Sequence, residues 1–338
     1  RFVFITGIVN FKNTGMLSEL KGLADISLDP EYGSIVGFTT QELKDYFSGY
    51  IENAARQLGA EPEALLQRLT GYYDGYCFEK TATVRVMNPW SVMSFLIYPT
   101  RGFRDHWFQT GGQPSALKDL FRSGALKDPK NFAAVKTIPF SQLGGPAIGE
   151  NFSEVDLLTQ TGYLTFKSVD GNIAIVDYST EEVRHAMAGM YLHQLVGKTI
   201  EQAGVMDFAI RLVKDNPETL VRIFNRLLES VDYEAYSIED AKSVLAVIQI
   251  AMINVRLSPV IKVIAKGESV LEVQAGERTI VLTLEYCHPD QEAEQLLQVA
   301  VSQLDKPFSG KLGGRMEILK LVLVFSESDR RITVWSVA

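Results

Sequence analysis

Two carboxylates and a thiol near the C-terminal end are the side chains whose chemistry matters first. Glu285 and Cys287 close the run 278–287, whose alternating β-branched and apolar residues predict a strand. Glu272 lies 13 residues before Glu285, in the preceding predicted strand. Cys287 and His288 are adjacent, and neighbours in a strand point to opposite faces, which excludes a cysteine–histidine nucleophile pair. Taken alone, Glu285 is a strand-end carboxylate at a sheet edge, which requires no function.

The elements around these residues predict a small α/β unit with a mixed sheet. Pro289 breaks the strand, and Asp290 is predicted to cap a helix that runs to about Leu304. The remaining predicted elements are a helical run at 238–255 and strands at 269–275, 318–325 and 331–337.

This order of elements resembles the PD-(D/E)XK nuclease-like domain, with a restriction-endonuclease-like fold, that closes the AAA-ATPase-like proteins of gut bacteria. In that family the central strand ends in Glu-x-Lys, and the helix that follows carries a Gln. The Glu position is occupied by Glu285 in Leu284-Glu285-Tyr286-Cys287, and the Gln position by Gln298. Glu272 stands where the family has an Asp, and Cys287 stands where it has the Lys.

The resemblance implies a metal-dependent site, and this chain departs from it at one position. In such a nuclease the two acids hold Mg²⁺ through oxygen ligands, while the Lys positions the attacking water and neutralises developing charge. Glu272 and Glu285 are thus the expected metal ligands, and with Gln298 the expected catalytic residues. Cys287 supplies neither a fixed positive charge nor an ammonium donor, so we expect a degenerate site. An active site would need a cation from a neighbouring position: Lys262, Lys266 or Arg278.

The N-terminal segments carry the most specific resemblance to the same family. Residues 23–32 match the run Asp-Ile-Ser-Leu-Asp-Pro-Glu-Tyr of its ATPase half. Residues 1–8 are predicted to form a buried strand, similar to the last core strand of that ATPase, where Thr6 would be the sensor-like residue near the γ-phosphate. Gly197-Lys198-Thr199 is no P-loop, because Leu192 stands where the earlier glycine is needed. We therefore expect no cofactor in this chain beyond Mg²⁺ at an active nuclease site, and ATP only in an intact parent protein.

The segment 36–130 is expected to be a helical lid. Thr39 and Glu42 form a predicted capping box for a helix that runs to Leu58 and ends at Gly59, and a second helix is predicted from Pro62 to about Leu69. Four further elements resemble motifs of the family, and aromatic packing is the favoured interpretation of the first two: Tyr73-Asp74-Gly75-Tyr76, Asn88-Pro89-Trp90-Ser91, His106–Gly111 and Gln160–Thr165. A further helix is predicted at 115–126.

The following segment, 131–205, predicts a winged-helix-like domain. Residues 130–150 are rich in Gly and Pro and predict a loop. A short helix at 154–161, a hairpin around Asp170-Gly171-Asn172 and a long helix from Thr180 to about Ala203 follow. The family's Pro-Asn-x-Glu-Val is replaced here by Ser179-Thr180-Glu181-Glu182-Val183. Nearly balanced charges in this segment favour a packing role over DNA binding.

The composition disfavours several classes of protein. The 338 residues carry a net charge of −8, which disfavours a broad basic surface for nucleic acid. Cys77 and Cys287 fall in different predicted domains and cannot build a disulfide framework or a zinc site, so a cytoplasmic location is expected. No apolar run is long enough for a membrane span. Arg1 is not an initiator Met, and we expect the chain to be part of a longer protein.

Two functions remain open at this point. The first is an interaction and regulatory module, in which a nuclease-like domain without its Lys binds a protein partner or nucleic acid. The second is a divergent Mg²⁺-dependent DNA nuclease that uses Glu272 and Glu285. The predicted division of the chain is 1–35 (end of the ATPase-like core), 36–130 (helical lid), 131–205 (winged-helix-like), 206–236 (helical connector) and 237–338 (nuclease-like).

Overall fold

A computed structural model describes residues 4–7, 24–109, 128–143, 154–196, 204–205, 207–263, 269–304 and 317–338. The chain forms two compact units, each built from two segments. The first unit contains Arg1–Leu120 and Val135–Ala186, and the second contains Phe121–Ala134 and Met187–Ala338. The division into five segments stays a prediction.

The elements are mixed α and β, as predicted. The helices are α1 (Thr40–Tyr46), α2 (Ser48–Leu58), α3 (Pro62–Tyr73), α4 (Pro89–Ile97), α5 (His106–Gln109), α6 (Glu154–Gln160), α7 (Glu181–Leu195), α8 (Phe208–Lys214), α9 (Pro217–Leu228), α10 (Ala241–Asn254) and α11 (Ala293–Leu304). The strands are β1 (Asp74–Tyr76), β2 (Val86–Met87), β3 (Lys136–Pro139), β4 (Leu164–Asp170), β5 (Ile173–Tyr178), β6 (Val260–Val263), β7 (Ser269–Ala275), β8 (Arg278–Cys287), β9 (Glu317–Ser326) and β10 (Arg331–Val337).

The first helices of the first unit confirm the predicted caps but not the predicted single helix. Thr39 and Glu42 form the capping box, and Gly59 ends α2 in the left-handed conformation. Phe47, with φ −117° and ψ 11°, separates α1 from α2, so the prediction of one helix from Thr39 to Leu58 is wrong. The Phe47 ring packs on Phe38 with centroids 5.0 Å apart, and the Ser-Gly pair that follows tolerates the break. The second predicted helix continues to Tyr73.

A three-stranded antiparallel sheet, in the order β3-β5-β4, also belongs to the first unit. The predicted hairpin is confirmed, with Gly171 at φ +58° in its turn. The prediction of a loop at 130–150 is wrong for the part that the structure describes. Lys136–Pro139 pairs with Ile173–Val176, because strand β5 offers a free edge that local Gly and Pro content does not reveal. The helix predicted from Thr180 to Ala203 begins as expected and ends at Leu195; residues 197–203 lie outside the described ranges.

A five-stranded mixed sheet, in the order β10-β9-β8-β7-β6, forms the centre of the second unit. Strands β8 and β9 pair in parallel over their full length, and the other neighbours pair antiparallel. The parallel pair requires a crossover, which α11 provides. The helix begins at Ala293, not at Asp290, because residues 288–291 first form a turn in which the Gln291 amide donates to the His288 carbonyl at 3.0 Å.

The segment 128–134 is tied to the rest of the second unit at two points. The Phe132 ring packs edge-on against Tyr191, with centroids 5.8 Å apart. The Lys130 ammonium lies 2.9 Å from a carboxylate oxygen of Asp240, the residue that caps α10 through the Ser243 amide. Helix α10 is buried along almost its whole length, so this cap orients a central element of the core.

Residues 4–7 contradict the predicted buried strand. They have no regular secondary structure, and the Phe4 and Ile5 side chains are largely exposed. A buried parallel-type strand needs neighbours on its ladder, and no described residue pairs with this segment. The predictions for residues 115–126 fall outside the described ranges. Among the helices that are described, none is both long enough and apolar enough to cross a bilayer.

Candidate functional site

Strands β7 and β8 place the two predicted metal ligands on one face of the sheet. Glu272 is paired with Val281, and residues two apart in a strand share a face, so Glu285 lies on the same side as Glu272. The two positions are four residues apart in register, which separates them by about 13 Å along the strand. As placed, the two carboxylates do not share one cation.

Glu272 has a cationic partner of its own. The Lys262 ammonium in β6 lies 2.6 Å from the Glu272 carboxylate. Arg278, another predicted source of positive charge, donates instead to the backbone carbonyl of Asp215 at 2.8 Å. Lys266 lies outside the described residues. Lys262 therefore lies beside Glu272 but not beside Glu285, whose position is four residues farther along the strand register.

Cys287 is buried at the end of β8, in the position of the family's Lys. Its sulfur lies 3.5 Å from the carbonyl oxygen of Gln291 and 3.6 Å from that of His288. Burial raises the pKa of the thiol, and the charges of Asp290 and Asp329 raise it further. The side chain is thus a neutral donor to the backbone turn before α11 and supplies no positive charge.

Gln298 lies on an exposed part of α11, whereas Ala300 is buried. Within the described ranges, no three His, Cys, Asp or Glu side chains are grouped so that they could hold a metal ion. Because Glu272 and Glu285 stand four residues apart in register, they do not fit the shared Mg²⁺ site that the resemblance implies. Thr6 is exposed in the N-terminal segment, and its sensor-like role stays a prediction.

The first unit contains a pocket of about 300 Å³. Segments that are far apart in sequence line it, because β1 pairs with β2, Asn88 then caps α4, and the Gly162 turn follows α6. Gly162 has φ +81°, which favours glycine at this turn. The lining includes one or more residues from each of the four motifs that the sequence singled out: Tyr76, Asn88, Pro89, Trp107, Gln160, Thr161 and Gly162.

Five lining side chains carry polar atoms: Tyr76, Asn88, Trp107, Gln160 and Thr161. The Tyr76 hydroxyl is buried and makes no hydrogen bond of good geometry to the described residues, although the Asn88 amide is its polar neighbour. Burial raises the pKa of this phenol, which stays protonated. Asn88 uses its side-chain oxygen to accept from the Trp90 amide at 2.9 Å, so its NH₂ group remains as a donor.

A buried carboxylate lies behind this pocket. One oxygen of Glu182, Oε1, accepts from the Ser91 hydroxyl and from the Trp107 backbone amide, each at 2.9 Å. Its other oxygen is buried with no hydrogen-bond partner among the described residues. Burial raises the pKa of Glu182 to about 7, although these two donors and the His106 backbone amide favour the charged form. The side chain joins α7 to the starts of α4 and α5, both of which contribute to the pocket.

Sequence reasoning named the motifs of this pocket but not their convergence. The sequence favours aromatic packing around a turn for Tyr76 and Asn88. It places Glu182 among the surface charges of the segment 131–205, and this is wrong, because Glu182 is fully buried. The available signal was the alternation of aromatic residues with Asn, Thr and Gly in segments that could not be placed in space without the fold.

Comparisons with known proteins give little functional information. No family model matches the chain, and no solved structure matches it. The chain is 28% identical over 169 residues to a protein described as "Uncharacterized protein in vnfD 5'region" from Azotobacter chroococcum mcd 1. The aligned stretch covers 50% of this chain and 29% of that relative, so the chain spans less than a third of the relative's length.

Proposed function

We propose that residues 237–338 form a degenerate nuclease-like domain that binds a partner and does not cleave nucleic acid, within an AAA-ATPase-like protein. The observation that carries this proposal is the state of Cys287. The Cys287 thiol is buried and neutral, and it donates to the backbone carbonyl of Gln291. It occupies the position at which a nuclease of this kind needs a positive charge.

The order of elements supports the same proposal. Helix α10, the antiparallel strands β6 to β8, the crossover helix α11 and the parallel strand β9 follow one another as the resemblance implies. The separation of Glu272 from Glu285 by about 13 Å adds to it, because two acids must converge to bind one Mg²⁺ ion.

The chemistry of the partner follows from charge. A protein that binds nucleic acid by its backbone neutralises phosphates with Lys and Arg, whereas this chain has a net charge of −8. The sheet face that carries Glu272 and Glu285 also carries two lysines: Lys262 is already paired with Glu272, and Lys320 lies opposite Val281 in β9. We therefore favour a protein partner over nucleic acid.

One observation favours the alternative, a divergent Mg²⁺-dependent nuclease. The Lys262 ammonium, 2.6 Å from Glu272, is a cation beside one of the two acids, and a lysine delivered from a neighbouring strand could replace the missing one. This alternative requires Glu285 to move towards that pair.

A cleavage assay on the whole chain separates the two. Supercoiled plasmid and single-stranded DNA are incubated with Mg²⁺ and the wild type, Glu285→Ala, Lys262→Met or Cys287→Lys. We expect no cleavage by the wild type. Mg²⁺-dependent nicking that is lost in both Glu285→Ala and Lys262→Met would overturn the proposal in favour of the nuclease.

The binding half of the proposal is tested separately. Fluorescence anisotropy with labelled double- and single-stranded DNA is measured at 50 and 200 mM salt, with Lys262→Met as the matched variant. We expect no saturable binding at 200 mM salt. If DNA binding is saturable and its dependence on salt concentration is weaker in Lys262→Met, the partner is nucleic acid and not a protein.

A further inference from the structure

The pocket of the first unit has aromatic and uncharged walls. Tyr76 and Phe78 stack with ring centroids 5.9 Å apart and an interplanar angle of 16°, and the Trp107 ring packs edge-on against Tyr163 at 4.9 Å. Apolar side chains of Val36 and Met87 complete these walls. None of the described lining residues is charged. Such walls accept a flat, neutral ring and give a phosphate or carboxylate no counter-ion.

Tyr76 and Asn88 bring donors to the pocket, whereas Gln160 and Thr161 bring oxygens, since their own donors are used by Asp156 and by the Leu157 carbonyl. The Tyr76 side chain is only 6% exposed, and its hydroxyl is a proton donor without a partner of good geometry among the described residues. The Asn88 NH₂ group lies beside it, since the Asn88 oxygen is held by the Trp90 amide. A buried donor without an acceptor costs free energy, so a ligand that accepts there is favoured.

Glu182 holds these walls without entering the pocket. Its Oε1 fixes the backbone of Trp107 and the hydroxyl of Ser91, three residues beyond Asn88. The pocket therefore has the rigid support that a preorganised small-molecule site requires.

We propose that this pocket binds an uncharged, planar heteroaromatic ring whose edge carries carbonyl or ring-nitrogen acceptors, of the nucleobase or nucleoside class. The ring stacks on the aromatic walls, and its acceptors receive the Tyr76 hydroxyl and the Asn88 amide. A volume of about 300 Å³ accommodates one base or one nucleoside. This site is independent of the nuclease-like domain.

Isothermal titration calorimetry on the whole chain tests the ligand class. The probes are uridine and hypoxanthine as acceptor-bearing rings, indole as a flat ring with a donor only, and uridine 5′-monophosphate. We expect uridine and hypoxanthine to bind, indole at least about 10-fold more weakly, and the monophosphate no more tightly than uridine. Failure of uridine and hypoxanthine to bind, or a monophosphate that binds more tightly than uridine, overturns the proposal.

Variants test the location. Phe78→Ala removes a wall, and Phe140→Ala, a half-buried ring of the same unit that packs on Phe166, is the matched control. We expect about a 10-fold loss of uridine affinity in Phe78→Ala only. Val36→Trp blocks the pocket from a position that is 63% exposed and is expected to abolish binding without loss of folding. Tyr76→Phe should weaken uridine but not indole; equal uridine affinity in Phe78→Ala, Val36→Trp and the wild type would place the binding elsewhere and sink the inference.

Discussion

Two carboxylates of the first unit, Glu79 and Glu182, are both fully buried and yet differ in charge behaviour. Glu79 accepts from the backbone amides of Thr81, Thr83 and Val84, and Thr81 adds its hydroxyl. Burial raises its pKa, but these hydrogen bonds outweigh burial and lower the pKa to about 2. Glu182 accepts from the Ser91 hydroxyl and the Trp107 amide at one oxygen, and the His106 amide also favours its charged form, yet burial raises its pKa to about 7.

The comparison shows that enough hydrogen-bond donors can outweigh desolvation and keep an enclosed carboxylate ionised. Glu79 is an anion that organises the loop between β1 and β2. Glu182 changes its protonation state near neutral pH at the back of a pocket. The same residue type thus has a structural role at one place and a titratable one at another.

The largest expected effect comes from removing the better-satisfied acid. Glu79→Ala leaves three backbone amides without their acceptor and should lower the free energy of unfolding by about 4 kcal/mol. Glu181→Ala, at a half-exposed carboxylate 3.5 Å from Arg184, should change it by less than about 0.5 kcal/mol. Urea unfolding measures both. A loss below 1 kcal/mol for Glu79→Ala would mean that water replaces the carboxylate at these amides.

The pH dependence of stability should separate the two acids. The folded-state pKa of Glu182 is raised from 4.5 to about 7, so the folded state binds the extra proton and stability falls as pH rises from about 5 to 8. The full loss is about 3 kcal/mol. Glu182→Gln should remove this slope in urea midpoints measured between pH 5 and 8. An unchanged slope in that variant would assign the titration to another group.

Glu79 should contribute with the opposite sign. Because its folded-state pKa is lowered to about 2, its contribution is complete above pH 4.5 and is lost as pH falls towards 2. Acid unfolding of Glu79→Gln, compared with Glu181→Gln, should show a weaker dependence on pH between 4.5 and 2. The two variants would coincide if the loop did not hold Glu79 as an anion.

A smaller effect is expected when one hydrogen-bond donor to Glu182 is removed. Ser91→Ala removes one hydrogen-bond donor to Glu182 and leaves the Trp107 amide in place. Fewer donors favour the neutral acid. We expect the midpoint of the stability profile to rise by about half to one pH unit. Ser94→Ala on the same helix is the control. A midpoint that does not move would show that the Ser91 hydroxyl does not stabilise the charged form.

The smallest effect is expected at the acid of the second unit. Glu272 and Lys262 form an ion pair with side chains 26% and 46% exposed, and such pairs contribute little in water. Lys262→Met should change the free energy of unfolding by less than about 1 kcal/mol, as measured by urea unfolding. A larger loss would show that the pair belongs to a desolvated site.

Local patterns predicted those parts of the fold that local forces determine. The capping box of Thr39 and Glu42 and the turn at Gly171 rest on contacts within a few residues. Strand β3 depends on pairing with the distant β5, whereas the start of α11 and the break at Phe47 follow from a nearby turn and a nearby ring contact that the pattern does not reveal; at these three places the predictions are wrong.

The candidate sites follow the same division. The sequence identified Glu272, Glu285 and Cys287 as side chains of interest, but the offset between the two acids follows from the pairing of β7 with β8. Glu182 could not be placed beside Ser91 and Trp107 by spacing, because 91 and 75 residues separate it from them. The lowered pKa of Glu79 likewise requires the shape of its loop.

The interleaving of the two units bears on how the protein can be divided into fragments. A piece that begins at residue 187 or 237 would lack the segment 121–134, which belongs to the second unit. It would leave the Tyr191 ring uncovered or absent and would take Lys130 away from the capping residue Asp240. Adding residues 121–134 as a separate peptide should restore the folding of such a fragment. If an isolated C-terminal fragment shows no cleavage and no binding, damaged folding is therefore the first explanation, ahead of any conclusion about its chemistry.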